Sequence, residues 1–81
     1  MRNLLAAMSL VALLGCGREA RFDTAQAAQA HCPADTVVWL NVHTKVYHFD
    51  GGRWYGHTDG GAFVCEKEAL TAKDRAARNG Q

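Results

Sequence analysis

The chain has 81 residues, 48% of them hydrophobic, with nine Lys/Arg against eight Asp/Glu and three cysteines. That length leaves room for one small domain. A formal net charge of +1 argues against the strongly basic footprint of a nucleic-acid binder, though a local patch remains compatible with it.

In chain order, Met1-Arg2-Asn3 is a short positive start, and Leu4 to Leu14 is an apolar run broken only by Ser9. Eleven helical residues reach about 16 Å, roughly half of a hydrocarbon core, so the run is too short to span a bilayer. It also lacks the polar face of a packed surface helix. It reads as the apolar stretch of an export signal. The run closes on Leu13-Leu14-Gly15-Cys16, which resembles a lipobox, the processing site of bacterial lipoproteins. The resemblance implies that residues 1–15 are a signal peptide and that Cys16 receives a diacylglyceryl group and then N-terminal acylation, palmitate being a usual chain. More than one acyl chain gives a stable membrane anchor. The rival small-x-small site, Ala28-Gln29-Ala30, lies sixteen residues past the apolar run, where ordinary cleavage follows within a few. The implied location is the cell envelope, lipid-anchored and facing the periplasm or the exterior. Gly17 after the cysteine resembles the outer-membrane sorting pattern of Gram-negative bacteria.

Lipid on Cys16 leaves Cys32 and Cys65 as an even pair in an oxidising compartment, and so predicts a Cys32–Cys65 disulfide. A loop of about 34 residues closed this way gains roughly 3–4 kcal/mol in the chain-entropy model. A domain of about fifty residues has little core of its own and commonly needs such a staple.

Residues 16–30 are expected to be the lipidated cysteine and a tether, Ala/Gln-rich with some helix around Thr24–Ala30. Residues 31–79 are expected to form the domain. Thr36 to Val42 is dense in β-branched and aromatic residues and predicts a strand, with Val38, Leu40 and Val42 on one face and Val37, Trp39 and Asn41 on the other. Val46-Tyr47-His48-Phe49 predicts a second strand. Asp50-Gly51-Gly52 and Asp59-Gly60-Gly61 are turn chemistry. Between them Arg53-Trp54-Tyr55-Gly56 reads as a third strand or an extended segment, and Ala62-Phe63-Val64-Cys65 as the last. Glu66 to Arg78 predicts a helix: acids open it, bases close it, and Cys65, Ala69, Ala72 and Ala76 share a face. The expected fold is α+β, a three- or four-stranded antiparallel sheet with one C-terminal helix, stapled by the disulfide.

Val38-Trp39-Leu40-Asn41, Val46-Tyr47-His48, Arg53-Trp54-Tyr55-Gly56, Thr58, Gly61 and Glu68-Ala69 together resemble a recurring bacterial module. It occurs in small exported proteins and as a C-terminal appendage of some secreted thermonuclease-like enzymes. The resemblance covers Val37 to Arg75 and brings no catalytic residues. It departs at Lys73-Asp74, where the module often has Gly and an aromatic. The turn-helix half more distantly resembles the N-terminal zinc domain of the DNA methylphosphotriester repair protein. His48 and Gly51-Gly52 stand in the region of that domain's first cysteine pair, so its zinc role is not carried over.

Four histidines, His31, His43, His48 and His57, are the candidates for metal ligation, with hydrogen-bonded or solvated roles as the default. Ser9 is the only serine, and no nucleophile arrangement or phosphate loop stands out, so neither an enzyme nor a cofactor is expected. Asp50 and Asp59 read as turn residues. Six aromatics lie within 25 positions, from Trp39 to Phe63, more than so small a domain buries fully. Arg53, Trp54 and Tyr55 are the expected binding surface, because Arg and aromatics are favoured at contacts. The functional expectation is a non-enzymatic binding or structural module of the envelope. Its partners would be the membrane, through the anchor, and a protein. Two alternatives stay open: metal binding through His48 and other histidines, and accessory nucleic-acid binding.

Overall fold

The computed structural model describes residues 18–78. Cys16 and the signal reading lie outside those residues. The fold is α+β, with one mostly antiparallel sheet of β1 (Val37–Asn41), β2 (Val46–His48), β3 (Gly61–Cys65) and β4 (Arg75–Ala76) in the order β3-β1-β2-β4. Among the described residues two helices accompany it, α1 (Ala25–His31) and α2 (Glu66–Thr71). No helix of the described residues is long and apolar enough to cross a membrane.

The alternation of β1 sets the core. Val38 and Leu40 are fully buried and meet Tyr47, Val64 and Ala69, with Val42 and Ala62 packed against them. The register makes this one face, since Val38 pairs with Val64, and Leu40 with both Ala62 and Tyr47. α2 crosses this face through Ala69, whose methyl lets the helix backbone approach closely. Truncating a fully buried residue such as Leu40 to Ala would cost about 2–5 kcal/mol. Between β1 and β2, the Asn41 side-chain oxygen accepts the His43 and Thr44 N–H groups at 2.9 and 3.3 Å. The Lys45 N–H returns to the Asn41 carbonyl at 2.9 Å. This Asx-type turn needs Lys45 at φ 65°, a left-handed conformation that a non-glycine residue adopts at some cost.

The other face carries Val37, Trp39, Phe63 and Cys65 by strand alternation. Cys65 Sγ is joined there to Cys32, as expected. Cys32 is the C-cap residue of α1, and its N–H bonds the Ala28 carbonyl at 3.0 Å. The staple therefore ties the end of α1 to the β3–α2 junction.

Three expectations are corrected. Residues 18–30 are not a free tether, because from Glu19 onward they are bonded into the folded body. Phe22 and Phe63 exchange both backbone hydrogen bonds at 2.9 Å, covering the outer edge of β3. α1 is capped by Thr24 Oγ1, which accepts the Ala27 N–H, and it buries Ala28 completely. α1 is the helix expected around Thr24–Ala30. Arg53–Gly56 is a run of turns and no strand; Gly51 and Gly56 have φ of 93° and 76°, which a pleated strand does not admit.

The C-terminal helix stops at Thr71, seven residues before the expected Arg78. The Asp74 N–H bonds the Ala69 carbonyl at 2.9 Å and the Lys73 N–H the Leu70 carbonyl at 3.0 Å. That is a Schellman stop, with Lys73 at φ 74° in the position glycine favours. The chain then pairs with the open edge of β2 in parallel, Arg75 N–H to Lys45 O and Ala77 N–H to Tyr47 O at 2.9 and 2.8 Å. Continuing the helix would have left that edge unpaired. The sheet is mixed for this reason, and Ala76 sits on a strand rather than on the Cys65–Ala69–Ala72 helix face.

Candidate functional site

The turns of residues 49–60 pack over the outer part of the sheet and leave a cleft of about 570 Å³, lined by Asn41, Thr44, Val46, His48, Trp54, His57, Thr58, Asp59 and Arg75. The loop is held down from within. Trp39 Nε1–H donates to Thr58 Oγ1 at 2.8 Å, and the Val42 N–H bonds the Gly60 carbonyl at 3.3 Å. Gly61 lies flat under the Trp39 indole, and any side chain there would collide with the ring. Thr58 and Trp39 thus form the hinge pin of the cleft wall. Both types of contact are usual for an indole, whose N–H finds an acceptor when covered.

The expected surface trio divides. Trp54 is 41% exposed and lines the cleft, with the Arg53 guanidinium 5.3 Å from its ring centroid, a cation–π arrangement. Tyr55 turns the other way and meets Phe63 edge-on at 5.5 Å. Burial, and secondarily the charge of Asp50, push the Tyr55 hydroxyl above its usual pKa. Trp39 also contacts Phe63 edge-on, at 4.8 Å. Trp54 and Arg53 therefore form the surface, whereas Tyr55 belongs to an aromatic floor with Trp39 and Phe63.

The histidines disperse. His31 Nε2 meets Glu68 Oε2 at 2.7 Å. The His43 ring lies against Gly60. His48, buried, and His57, exposed, line the same cleft. Two triads of potential metal donors come together among the described residues, His31 with Cys65 and Glu68, and Cys32 with Asp35 and Cys65. Both depend on sulfurs already joined to each other, and a disulfide sulfur is not the thiolate a metal takes. Asp50 and Asp59 are exposed turn residues, and Asp59 contributes its carboxylate to the cleft rim.

Arg75 and Thr58 were not legible as site residues. Arg75 reads as the end of a helix and reaches the cleft only because β4 joins the sheet. Thr58 gains its place from an indole nineteen residues away. The cleft offers an exposed indole, a guanidinium, imidazoles, hydroxyls and one carboxylate, a set that binds through stacking and hydrogen bonds. Tyr47 points away from this chemistry. Its hydroxyl donates to Glu66 Oε2 at 2.9 Å, and burial, then Glu66 and Asp74, push its pKa up to about 12.

Comparison with protein-family models, with curated proteins and with solved structures finds no match to this chain.

Proposed function

We propose that this protein is a lipid-anchored lipoprotein of the bacterial cell envelope whose domain is a non-enzymatic binding or structural module. The observation that carries the reading is the Cys32–Cys65 disulfide. A structural disulfide in so small a domain belongs to an oxidising compartment, and it leaves Cys16 as the one thiol for the lipobox to use. The apolar run before Cys16 supports the same route. The cleft walled by Trp54 supplies the binding face, and its donors and acceptors suit a polar ligand or peptide segment with a planar group to lay on the indole.

Expression of the full chain in a bacterium with globomycin-sensitive lipoprotein processing tests this. The expected product is a membrane-bound chain beginning at an acylated Cys16, with the unprocessed chain accumulating under globomycin. Cys16→Ala should be neither acylated nor cut at that site. A soluble, unacylated mature chain would overturn the reading.

A further inference from the structure

The near-zero net charge conceals a segregation. Arg18, Arg21, Lys45 and Lys73 line a single hollow of about 440 Å³ with Glu19 and Asp74. Four of the nine Lys/Arg thus gather around two of the eight Asp/Glu. With Arg2 in the expected signal, the rest of the folded chain keeps four basic residues against six acidic ones.

The hollow is built by two turns and the extended segment 18–21 brought together. Lys45 closes the β1–β2 turn and Lys73 ends α2, and the Arg75 N–H to Lys45 carbonyl bond at 2.9 Å joins the two. Residues 18–21 complete it. Glu19 is 4% exposed and Asp74 6%, and Arg21 Nε–H donates to Glu19 Oε2 at 2.9 Å. Ala20 is fixed by its N–H to Glu68 Oε1 at 2.9 Å. Arg21 is spent largely on Glu19, and Asp74 lies deep in the wall. Arg18, Lys45 and Lys73 are exposed, so the outward aspect of the hollow is basic.

Its place along the chain gives this rim a direction. Arg18 stands two residues beyond Cys16, a covalent reach of at most about 7 Å. Glu19 is already buried and Ala20 already bonded to Glu68, so an acylated Cys16 would hold the rim within about one Debye length of the headgroups. We propose that Arg18, Lys45 and Lys73 form a membrane-docking surface that rests on the phosphates of anionic lipid headgroups and fixes the orientation of the domain on the bilayer. The inference rests on the lipoprotein reading and deepens it: the domain lies on its membrane instead of hanging from it. Cations at this depth each gain from an anionic leaflet, and the gain is lost on screening.

The test uses the mature lipoprotein purified from membranes and reconstituted in phosphatidylcholine vesicles with or without phosphatidylglycerol. A membrane-impermeant amine-acylating reagent is applied, and mass spectrometry follows Lys45 and Lys73 against Lys67, which lies outside the hollow. On phosphatidylglycerol vesicles the acylation of Lys45 and Lys73 relative to Lys67 should slow about fivefold, the factor one headgroup contact is worth, and high salt should restore it. Equal ratios on the two vesicles would overturn the docking surface, while an acylated Cys16 in the same spectra would leave the lipoprotein reading standing. An unacylated Cys16 would overturn both.

Discussion

Residues 18–31 and residues 49–60 are alike in sequence terms, since each lacks a sustained apolar period and each lies outside the core cluster. They are held by different means. The first is tied from several sides: Phe22 to the β3 edge, Ala20 and His31 to the two oxygens of Glu68, Glu19 to Asp74 and Arg21, and Cys32 to Cys65. The second rests on fewer contacts, chiefly Trp39 to Thr58, Val42 to Gly60 and Tyr55 to Phe63. Opening of a segment is governed by the buried and bonded contacts that must break. The N-terminal segment should therefore open with the whole fold, and the loop that walls the cleft should open by itself.

The largest expected effect comes from removing the staple. The Cys32→Ala, Cys65→Ala double variant should lose about 3–4 kcal/mol, by the chain-entropy model for this loop, read as a lower urea midpoint at unchanged slope. A loss below about 1 kcal/mol would mean that the polar ties alone dock residues 18–31.

The acidic pair gives the next effect, and its sign is unusual. Burial foremost, then the hydrogen bond and charge of Glu19, push Asp74 from 3.8 up to about 7, against the pull of Lys45 and Arg21. One Asp74 oxygen has no hydrogen-bond partner. For Glu19, burial acts upward, but hydrogen bonds from Asp74 and Arg21 and the charge of Arg21 outweigh it and lower the pKa below 4.5. The two carboxyls thus share a proton, carried mainly by Asp74. An acid whose folded pKa is raised is harmless below its unfolded value and costs stability once the unfolded chain can ionise. Asp74 should therefore make the protein less stable as pH rises from about 4 to about 7, with the full cost present above that. Glu19 acts in the opposite sense, and only below its ordinary 4.5. Asp74→Asn keeps a donor for Glu19 and removes the titration. It should abolish that slope and raise stability at pH 8 on the order of 2 kcal/mol, measured by urea unfolding across pH. An unchanged slope would place the titration elsewhere.

These polar ties explain which parts of the fold the sequence disclosed. The alternation of Val38, Leu40 and Val64 and the β-branched density of β1 are periodic signals, and they gave the core face and the strands. The cysteine pairing was legible once Cys16 was set aside for lipid. Docking of residues 18–31 was not, because Glu19 meets Asp74 from 55 positions away and an isolated polar contact leaves no period. Ala, Lys, Asp and Arg after Ala72 all continue a helix well enough in isolation, and only the open edge of β2 explains why they do not. In the cleft, Trp54 could be read as exposed from aromatic surplus alone. Separating it from its neighbour Tyr55 requires knowing that Gly51 and Gly56 turn the backbone between strands.

A paired substitution sharpens the contrast between the two segments. Glu68→Ala removes the acceptor of the Ala20 N–H and the partner of His31, and should cost about 1–2 kcal/mol. Thr58→Val removes the acceptor of the Trp39 indole and should cost about 1 kcal/mol. Hydrogen exchange separates them: Glu68→Ala should speed amides of residues 20–31 and leave the locally opening residues 54–60 unchanged, whereas Thr58→Val should speed residues 54–60 and, through the lower global stability, residues 20–31 as well. Exchange of residues 54–60 rising in Glu68→Ala would show that the two segments open as one unit.

The smallest effect is a gain. Lys73 holds φ 74° at the position of a Schellman stop where glycine is free of steric cost. Lys73→Gly should relieve that cost, less the extra freedom it gives the unfolded chain, for a net gain of about 0.5–1 kcal/mol. The urea midpoint should rise with the slope unchanged. Because Asp74 follows Lys73 directly and carries the contact to Glu19, a firmer stop should also slow exchange at Ala20 and Phe22, while residues 49–60 exchange as before. A loss instead of a gain would mean that the Lys73 side chain contributes packing over the hollow that outweighs its strained backbone.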